Sequence, residues 1–236
     1  MPNWVRLVDE NSAGQKDQWP PRAHDEVFDW QKPTNHIYHD PESNEHAPEF
    51  AAARKKLDSS YHLHPFKARQ KLQDSILRRV LEQHEQQQTS SKKQQPPRQI
   101  LGENHSSTRE RPWLVFSAGP MGVGKGYVMT SLYQKGLFPL DKFVNIDPDK
   151  FKAELPETSG YLRQDPNSAA TKVHRESTHM ADVLLEHALQ QSLWITVDGS
   201  LRDVGFYRTL IQRIRREFPA YQIAILHVTA PSETIH

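Results

Sequence analysis

The feature that most restricts the possible folds is a glycine-rich segment at residues 119–126, which reads G-x-x-x-x-G-K and ends in Gly126. It follows an apolar run of strand length at residues 113–118 and precedes a segment with helical character at residues 127–135. Between a strand and a helix, such a loop turns its backbone N–H groups inward, and the helix N-terminus adds positive potential. The sequence therefore predicts a phosphate-binding loop.

This loop is expected to bind the phosphates of ATP together with Mg²⁺. Lys125 would neutralise charge between the β- and γ-phosphates, which also makes it a candidate catalytic residue. Gly126 departs from the usual motif, because a Ser or Thr normally follows the lysine and ligates Mg²⁺. Either water and carboxylates complete the octahedral shell of the metal, or metal affinity is low and nucleotide binds without much turnover. The predicted nucleotide contacts are Gly119, Pro120, Met121, Gly122, Val123, Gly124, Lys125, Gly126 and Tyr127.

Strand-like and helix-like segments alternate with short turns from residue 111 onward. This alternation predicts an α/β fold, a three-layer sandwich around a parallel sheet of the P-loop kinase type. The predicted strands are residues 113–118, 143–146, 194–197 and 222–229, and the predicted helices are residues 127–135, 169–191 and 207–217.

The first half of the chain is poorer in core-forming residues than the second half. Residues 1–110 contain 14 Val, Ile and Leu, whereas residues 111–236 contain 29, so we expect the core to lie in the second half. Residues 1–60 show no sustained period and are expected to be extended or disordered. An apolar stripe that includes Leu72, Ile76 and Leu77 predicts an amphipathic helix at residues 61–88, and a Gln-, Ser- and Pro-containing linker follows at residues 89–110. Residues 111–236 then form the P-loop domain.

Acidic residues follow two of the predicted strands. In open α/β sheets ligands bind beyond the carboxyl ends of the strands, so these carboxylates are expected on the side of the phosphate loop. Asp149 is the candidate general base, while Asp147 is more typical of a helix cap. Asp198 is the candidate metal-organising acid, and Ser200 offers a hydroxyl to substrate or phosphate.

Composition excludes several other classes of protein. The absence of cysteine removes disulfides, thiolate nucleophiles and Cys-based zinc sites, and it favours a cytosolic location. The sequence lacks a long apolar run and has no secretory signal pattern, so a membrane span and export are not expected. The formal net charge of +1 gives no general electrostatic attraction to nucleic acid.

Several blocks of the sequence together resemble the zeta toxin domain, most of all its eukaryotic branch. The blocks cover most of residues 111–236 and comprise residues 119–126, 146–152, 174–185, 198–200 and 223–231. Bacterial members of this family are P-loop kinases that use ATP and Mg²⁺ to phosphorylate the 3′-hydroxyl of the amino sugar in UDP-N-acetylglucosamine. The resemblance therefore implies a kinase whose acceptor is a nucleotide sugar or a related small molecule.

The resemblance also implies residue roles. Lys125 matches the phosphate-binding lysine of the family, and Asp149 matches its proposed general base. Asp182 falls where the family has a Glu on the substrate-side helix, and Asp198 and Ser200 match the acid and the Thr of its Glu-Gly-Thr turn. Each of these three positions carries a different residue from the family, so the choice of acceptor stays open.

One further departure concerns the arginines that clamp the γ-phosphate. In the family they lie beyond the fourth strand, whereas this sequence ends at His236, so we expect the domain to be truncated at its C-terminus. Alternatively, Arg163, Arg175 or Arg202 replaces the clamp, and Arg202 is also a candidate substrate contact. Two rival functions stay open: a catalytically weak nucleotide-binding or interaction module, and a polynucleotide kinase, which would require a basic groove.

Overall fold

The computed structural model describes residues 28–94, 111–120 and 122–229. The chain divides into two compact units. The first, which we call the helical unit, comprises the described parts of Met1–Leu77 and Asp147–His187. The second, which we call the sheet unit, comprises the described parts of Arg78–Ile146 and Ala188–His236.

A parallel sheet with strand order β2-β3-β1-β4 forms the centre of the sheet unit. Its strands are β1 (Trp113–Ala118), β2 (Phe143–Ile146), β3 (Trp194–Asp198) and β4 (Gln222–His227). Apolar residues of β1, β2 and β3 are fully buried, as expected for a parallel sheet covered on both faces. They are Leu114, Phe116, Val144, Ile146 and Ile195. The register pairs Ser117, the penultimate residue of β1, with Asp198 at the end of β3.

The helices that connect these strands begin where the sequence gives them a start signal. Helix α5 (Lys125–Gln134) follows the glycine-rich loop, and α9 (Val204–Glu217) is capped by the Asp203 carboxylate, which accepts from the Phe206 N–H at 2.9 Å. The parallel sheet and its alternating helices confirm the predicted α/β class. Among the described residues, no helix is both long and apolar enough to cross a membrane.

The described part of the helical unit consists mainly of helices. They are α1 (Thr34–Ile37), α2 (Ala51–Arg54), α3 (Ser59–His62), α6 (Pro148–Glu154) and α7 (Thr158–Gln164), together with parts of α4 (Lys67–Gln94) and α8 (Pro166–Gln190). Helix α4 thus occupies residues 67–94, where the sequence predicted a helix at residues 61–88. Residues 89–94 of the predicted linker belong to this helix, and residues 95–110 lie outside the described residues.

The structure differs from the expectation for residues 28–60. Residues 1–27 lie outside the described residues, but residues 28–60 contain two short helices and the start of a third, and they bury Tyr38 and Phe50. Trp30 packs edge-on against Tyr161 of α7 with ring centroids 5.3 Å apart, and the Tyr161 O–H donates to the Lys32 carbonyl oxygen at 2.6 Å. These contacts join residues far apart in the chain, so no local period reveals them.

A charged cluster occupies the interior of the helical unit. Arg69 of α4 is fully buried and donates to the Glu157 carboxylate at 2.8 and 2.9 Å and to the Glu176 carboxylate at 2.6 and 2.9 Å. Tyr38 donates its O–H to Glu157 at 2.5 Å, and the Gln73 amide donates to Glu176 at 2.8 Å. Burial alone would lower the pKa of Arg69, but both glutamates outweigh it and raise that pKa. The hydrogen bonds from Arg69 to both glutamates therefore tie α4, α7 and α8 together.

Candidate functional site

The glycine-rich loop joins the end of β1 to the start of α5 within the sheet unit. Gly119 has a φ of +146°, and a Cβ added there would overlap the carbonyl oxygen of Val228, so only glycine fits this position. Gly124 is the N-cap of α5 and adopts the left-handed conformation with a φ of 89°. The helix therefore begins at Lys125 with its N-terminal N–H groups at the loop, as a phosphate site requires.

Lys125 and Asp198 lie near each other, as a shared phosphate and metal site requires. The Lys125 Nζ lies 3.9 Å from Asp198 Oδ1, and it also donates to the carbonyl oxygens of Gly119 and Pro120 at 3.3 and 3.4 Å. The Asp198 side chain is 38% exposed, so its carboxylate can reach solvent and a ligand. Ser117 donates its hydroxyl hydrogen to Asp198 Oδ1.

The other predicted loop contacts vary in exposure. Gly126 is exposed, and a Cβ added there would meet no atom within 4 Å, so the position has room for a side chain. Tyr127 is 80% exposed. Met121 lies outside the described residues. Pro120 and Gly122 are exposed, while Val123 is partly covered.

Ser200 and Arg202 lie in the turn that leads from β3 to α9. The Ser200 hydroxyl oxygen accepts a hydrogen bond from the Arg202 backbone N–H at 3.3 Å, and both residues are exposed. Leu201 between them has a φ of +51°. The turn places both residues directly after Asp198 in the sheet unit. Their roles as substrate contacts stay predictions.

Asp147 and Asp149 belong to the helical unit, where they form the start of α6. Asp147 is the N-cap, and its carboxylate accepts from the Asp149 N–H at 2.9 Å, while Pro148 occupies the first helical position. The Asp149 carboxylate accepts from the Lys152 Nζ at 2.7 Å and is 57% exposed. Asp147 thus has the structural role that the sequence indicated. The assignment of Asp149 as a base stays a prediction.

Asp182 also lies in the helical unit, on α8. Its carboxylate is 3.0 Å from Nε2 of His62, a residue of α3 that the sequence did not single out as a partner. The His62 ring also packs against the His179 ring with centroids 5.0 Å apart. The predicted substrate acid is therefore held by a residue from the N-terminal part of the chain.

His179 is buried one helical turn before Asp182, and it should make stability depend on pH. Burial, followed by the electrostatic effects of the nearby His62 and Arg54 side chains, lowers the pKa of His179 well below its usual value. Below about pH 6.5 the unfolded chain then binds a proton at His179 that the folded chain does not. The contribution of His179 to stability is therefore fully present above about pH 6.5 and is lost as the pH falls below it. Urea denaturation at a series of pH values gives the free energy of unfolding. Below pH 6.5, we expect this free energy to change with pH less steeply in His179→Leu than in wild type, by up to about 1.4 kcal/mol per pH unit.

The exposed His36 of the same unit provides the matched control for this measurement. The pH slope of the unfolding free energy of His36→Leu shows how much the loss of an exposed histidine changes that slope. An identical pH slope in wild type and His179→Leu would show that His179 does not carry the effect.

The sequence analysis missed two residues that the structure brings to the predicted acids. One is Ser117, a hydroxyl in an otherwise apolar strand, with an exposed fraction of 1%. A polar residue in a buried strand two positions before the phosphate loop was a signal that could have identified it. The other is His62, whose pairing with Asp182 depends on a tertiary contact between α3 and α8.

The residues of the sheet unit fit a magnesium ion that is bound with a nucleotide. Mg²⁺ is commonly held by one or two carboxylates plus substrate phosphates and several waters, so it does not need an all-protein cage. Asp198 supplies a partly exposed carboxylate beside the phosphate loop. The described residues contain no cluster of three or more His, Asp or Glu suited to a metal held by protein alone. A metal shared with the phosphates is the arrangement that this donor set supports.

The family of the chain follows from comparison with known proteins. A chain from the PezAT chromosomal toxin-antitoxin system of the human pathogen Streptococcus pneumoniae matches with 14% sequence identity and a TM-score of 0.45. The match covers 66% of the present chain and 57% of the other, so this chain spans less than two thirds of that protein. No curated protein matches the sequence. The family model described as Zeta toxin matches residues 98–235, more than half of the sequence, and the chain therefore belongs to the zeta toxin family.

Proposed function

We propose that the protein is a kinase that transfers the γ-phosphoryl group of ATP to a hydroxyl of a small molecule. The observation that carries the proposal is the sheet unit's loop at residues 119–126, where α5 begins at Lys125 and Asp198 lies 3.9 Å from the Lys125 Nζ. Phosphoryl transfer depends mainly on positioning and on stabilisation of charge, and these groups supply both functions for the phosphates.

Each group would have a distinct part in the reaction. The backbone N–H groups of the loop would hold the phosphate oxygens, and Lys125 would offset the charge that develops on the transferred group. Asp198 would hold Mg²⁺ or its bound water, and the metal would supply further neutralisation of phosphate charge. Asp149 would accept the proton of the acceptor hydroxyl. Family membership supports a nucleotide sugar similar to UDP-N-acetylglucosamine as the first acceptor to test.

ATP binding should depend strongly on Lys125. Among the described residues, Lys125 is the one side-chain cation that lies both at the loop and next to Asp198, and Lys125→Ala removes it. A hydrogen bond to a charged group contributes about 1.5–3 kcal/mol, so we expect calorimetry to show ATP affinity reduced roughly 10- to 150-fold. Lys135→Ala, at the exposed C-terminal end of α5, removes the same charge away from the loop and should bind ATP normally. Equal ATP affinity in both variants would contradict the loop assignment.

Gly126 favours a second candidate, a nucleotide-binding module with weak transfer. The position that usually supplies a metal-ligating hydroxyl has none, although a side chain would fit there. Tight Mg²⁺-dependent ATP binding without transfer to any hydroxyl acceptor would select this candidate. A rise in turnover on Gly126→Ser would instead support a working kinase site that lacks one ligand.

A further inference from the structure

Among the described residues, the hydroxyl of Ser117 forms one hydrogen bond, and its partner is Asp198, the predicted metal-organising acid. Ser117 and Asp198 are paired residues on the neighbouring parallel strands β1 and β3. Paired residues on neighbouring strands project to the same face of a sheet, so the two side chains meet. Ser117 Oγ donates its hydrogen, and Asp198 Oδ1 accepts it.

This hydrogen bond distinguishes the two oxygens of the Asp198 carboxylate. Oδ1 accepts from Ser117 and lies 3.9 Å from the Lys125 Nζ. Within the part of the chain that the structure describes, Oδ2 has no hydrogen-bonding partner. With Oδ1 held by Ser117, the orientation of the carboxylate is restricted, and Oδ2 is left available to accept from or bind a ligand.

Because Ser117 is buried, its hydroxyl needs a hydrogen-bonding partner. Ser117 has an exposed fraction of 1% in a strand whose other members from Leu114 to Ala118 are buried and apolar. A buried hydroxyl has a desolvation cost that alanine or valine would avoid, and valine also suits a buried strand better. The hydrogen bond to Asp198 offsets that cost.

We propose that Ser117 is a positioning residue for the metal acid and takes over part of the role of the hydroxyl that Gly126 lacks. The proposal rests on the proposed function, because it assumes that Asp198 holds Mg²⁺ with a nucleotide. A loop with Ser or Thr after the lysine contributes its own ligand to the metal. In this chain the metal depends more on Asp198, so a fixed orientation of that carboxylate matters more. Mg²⁺ tolerates little deviation from octahedral geometry, and outer-shell partners of metal ligands typically change metal affinity about 10- to 100-fold.

The experiment compares Ser117→Thr with Ser117→Val. These two variants have nearly the same volume and shape and differ in the hydroxyl, so any strain in the buried strand is common to both. Calorimetry measures ATP affinity with and without Mg²⁺, and the ratio of the two affinities gives the gain due to the metal. A merely structural change alters both affinities alike, whereas a change in metal positioning alters their ratio.

We expect Ser117→Thr to keep the wild-type ratio and Ser117→Val to reduce it about 10- to 100-fold. Thr196→Val is the matched control. Thr196 is a buried hydroxyl residue of β3, but its hydroxyl donates to the Asn145 amide oxygen at 3.2 Å and not to Asp198. It should keep the wild-type ratio. In the Asp198→Asn background, Ser117→Val should cause no further loss, because Asp198→Asn already removes the carboxylate that Ser117 would orient.

The outcomes separate this inference from the function on which it rests. If wild type binds ATP with an Mg²⁺-dependent gain and Ser117→Val keeps the full gain, Ser117 is structural and the inference is wrong. The inference is also wrong if Ser117→Val and Thr196→Val lose the gain equally. If wild type binds no ATP at all, the proposed function itself fails.

Discussion

Asp149→Asn is expected to reduce phosphoryl transfer by about 10²- to 10⁴-fold while ATP binding with Mg²⁺ is retained. The substitution keeps the size of the side chain and removes the carboxylate that would accept the proton of the acceptor hydroxyl. The side chain is 57% exposed and accepts from the Lys152 Nζ, so its loss should leave the fold intact. Initial rates of transfer from labelled ATP, together with calorimetry of ATP binding, measure the two effects separately.

Asp147→Asn is the matched control for this experiment. It removes a carboxylate two residues away, and Asn caps a helix about as well as Asp, so α6 should keep its start. Transfer by Asp147→Asn should be close to that of wild type. If Asp149→Asn keeps full transfer and Asp147→Asn loses it, the base is Asp147.

Arg69→Met is expected to destabilise the protein by about 3–5 kcal/mol. The substitution leaves the carboxylates of Glu157 and Glu176 buried without their cation, and Arg69 currently donates to both at 2.6 to 2.9 Å. Burial raises the pKa of Glu176, but Arg69 outweighs that effect and the pKa is lowered overall. Without Arg69, burial of an unpaired charge becomes a direct cost to folding. Urea denaturation followed by circular dichroism measures the loss.

Two further variants show whether the charge is the cause. Lys71→Met lies two residues along α4 at an exposed position and should change stability by no more than about 0.5 kcal/mol. Arg69→Met combined with Glu157→Gln and Glu176→Gln removes all three charges and should recover part of the lost stability. Equal stability of wild type and Arg69→Met would contradict the buried ion cluster.

The sheet unit was predictable because its signals are local. Each strand is a short apolar run, and the phosphate loop lies between the run at Trp113–Ala118 and the helix that begins at Lys125. The strand bounds differ from the prediction by a few residues at most, and α5 begins at Lys125 because Gly124 caps it. Chain connectivity also places Asp198 at the end of β3, so its proximity to Lys125 followed from the crevice rule.

The helical unit was less predictable because long-range contacts define it. Arg69 is one charge on a helix whose sequence is rich in Lys, Arg and Gln, and nothing local marks it as buried. Its two partners lie 88 and 107 residues away in the sequence. The same holds for His62 and Asp182, which lie on α3 and α8. Short helices such as α1 and α2 contain four residues each, too few for a periodic pattern to appear.

The measurement that tests the central claim most directly is phosphoryl transfer from ATP labelled at the γ-position, with UDP-N-acetylglucosamine and other nucleotide sugars as acceptors. The account predicts a labelled acceptor whose formation requires Mg²⁺, is lost in Lys125→Ala and falls by about 10²- to 10⁴-fold in Asp149→Asn. Lys135→Ala and Asp147→Asn should transfer phosphate like wild type. Tight ATP binding by wild type without transfer to any hydroxyl acceptor would contradict the account and identify a nucleotide-binding module instead.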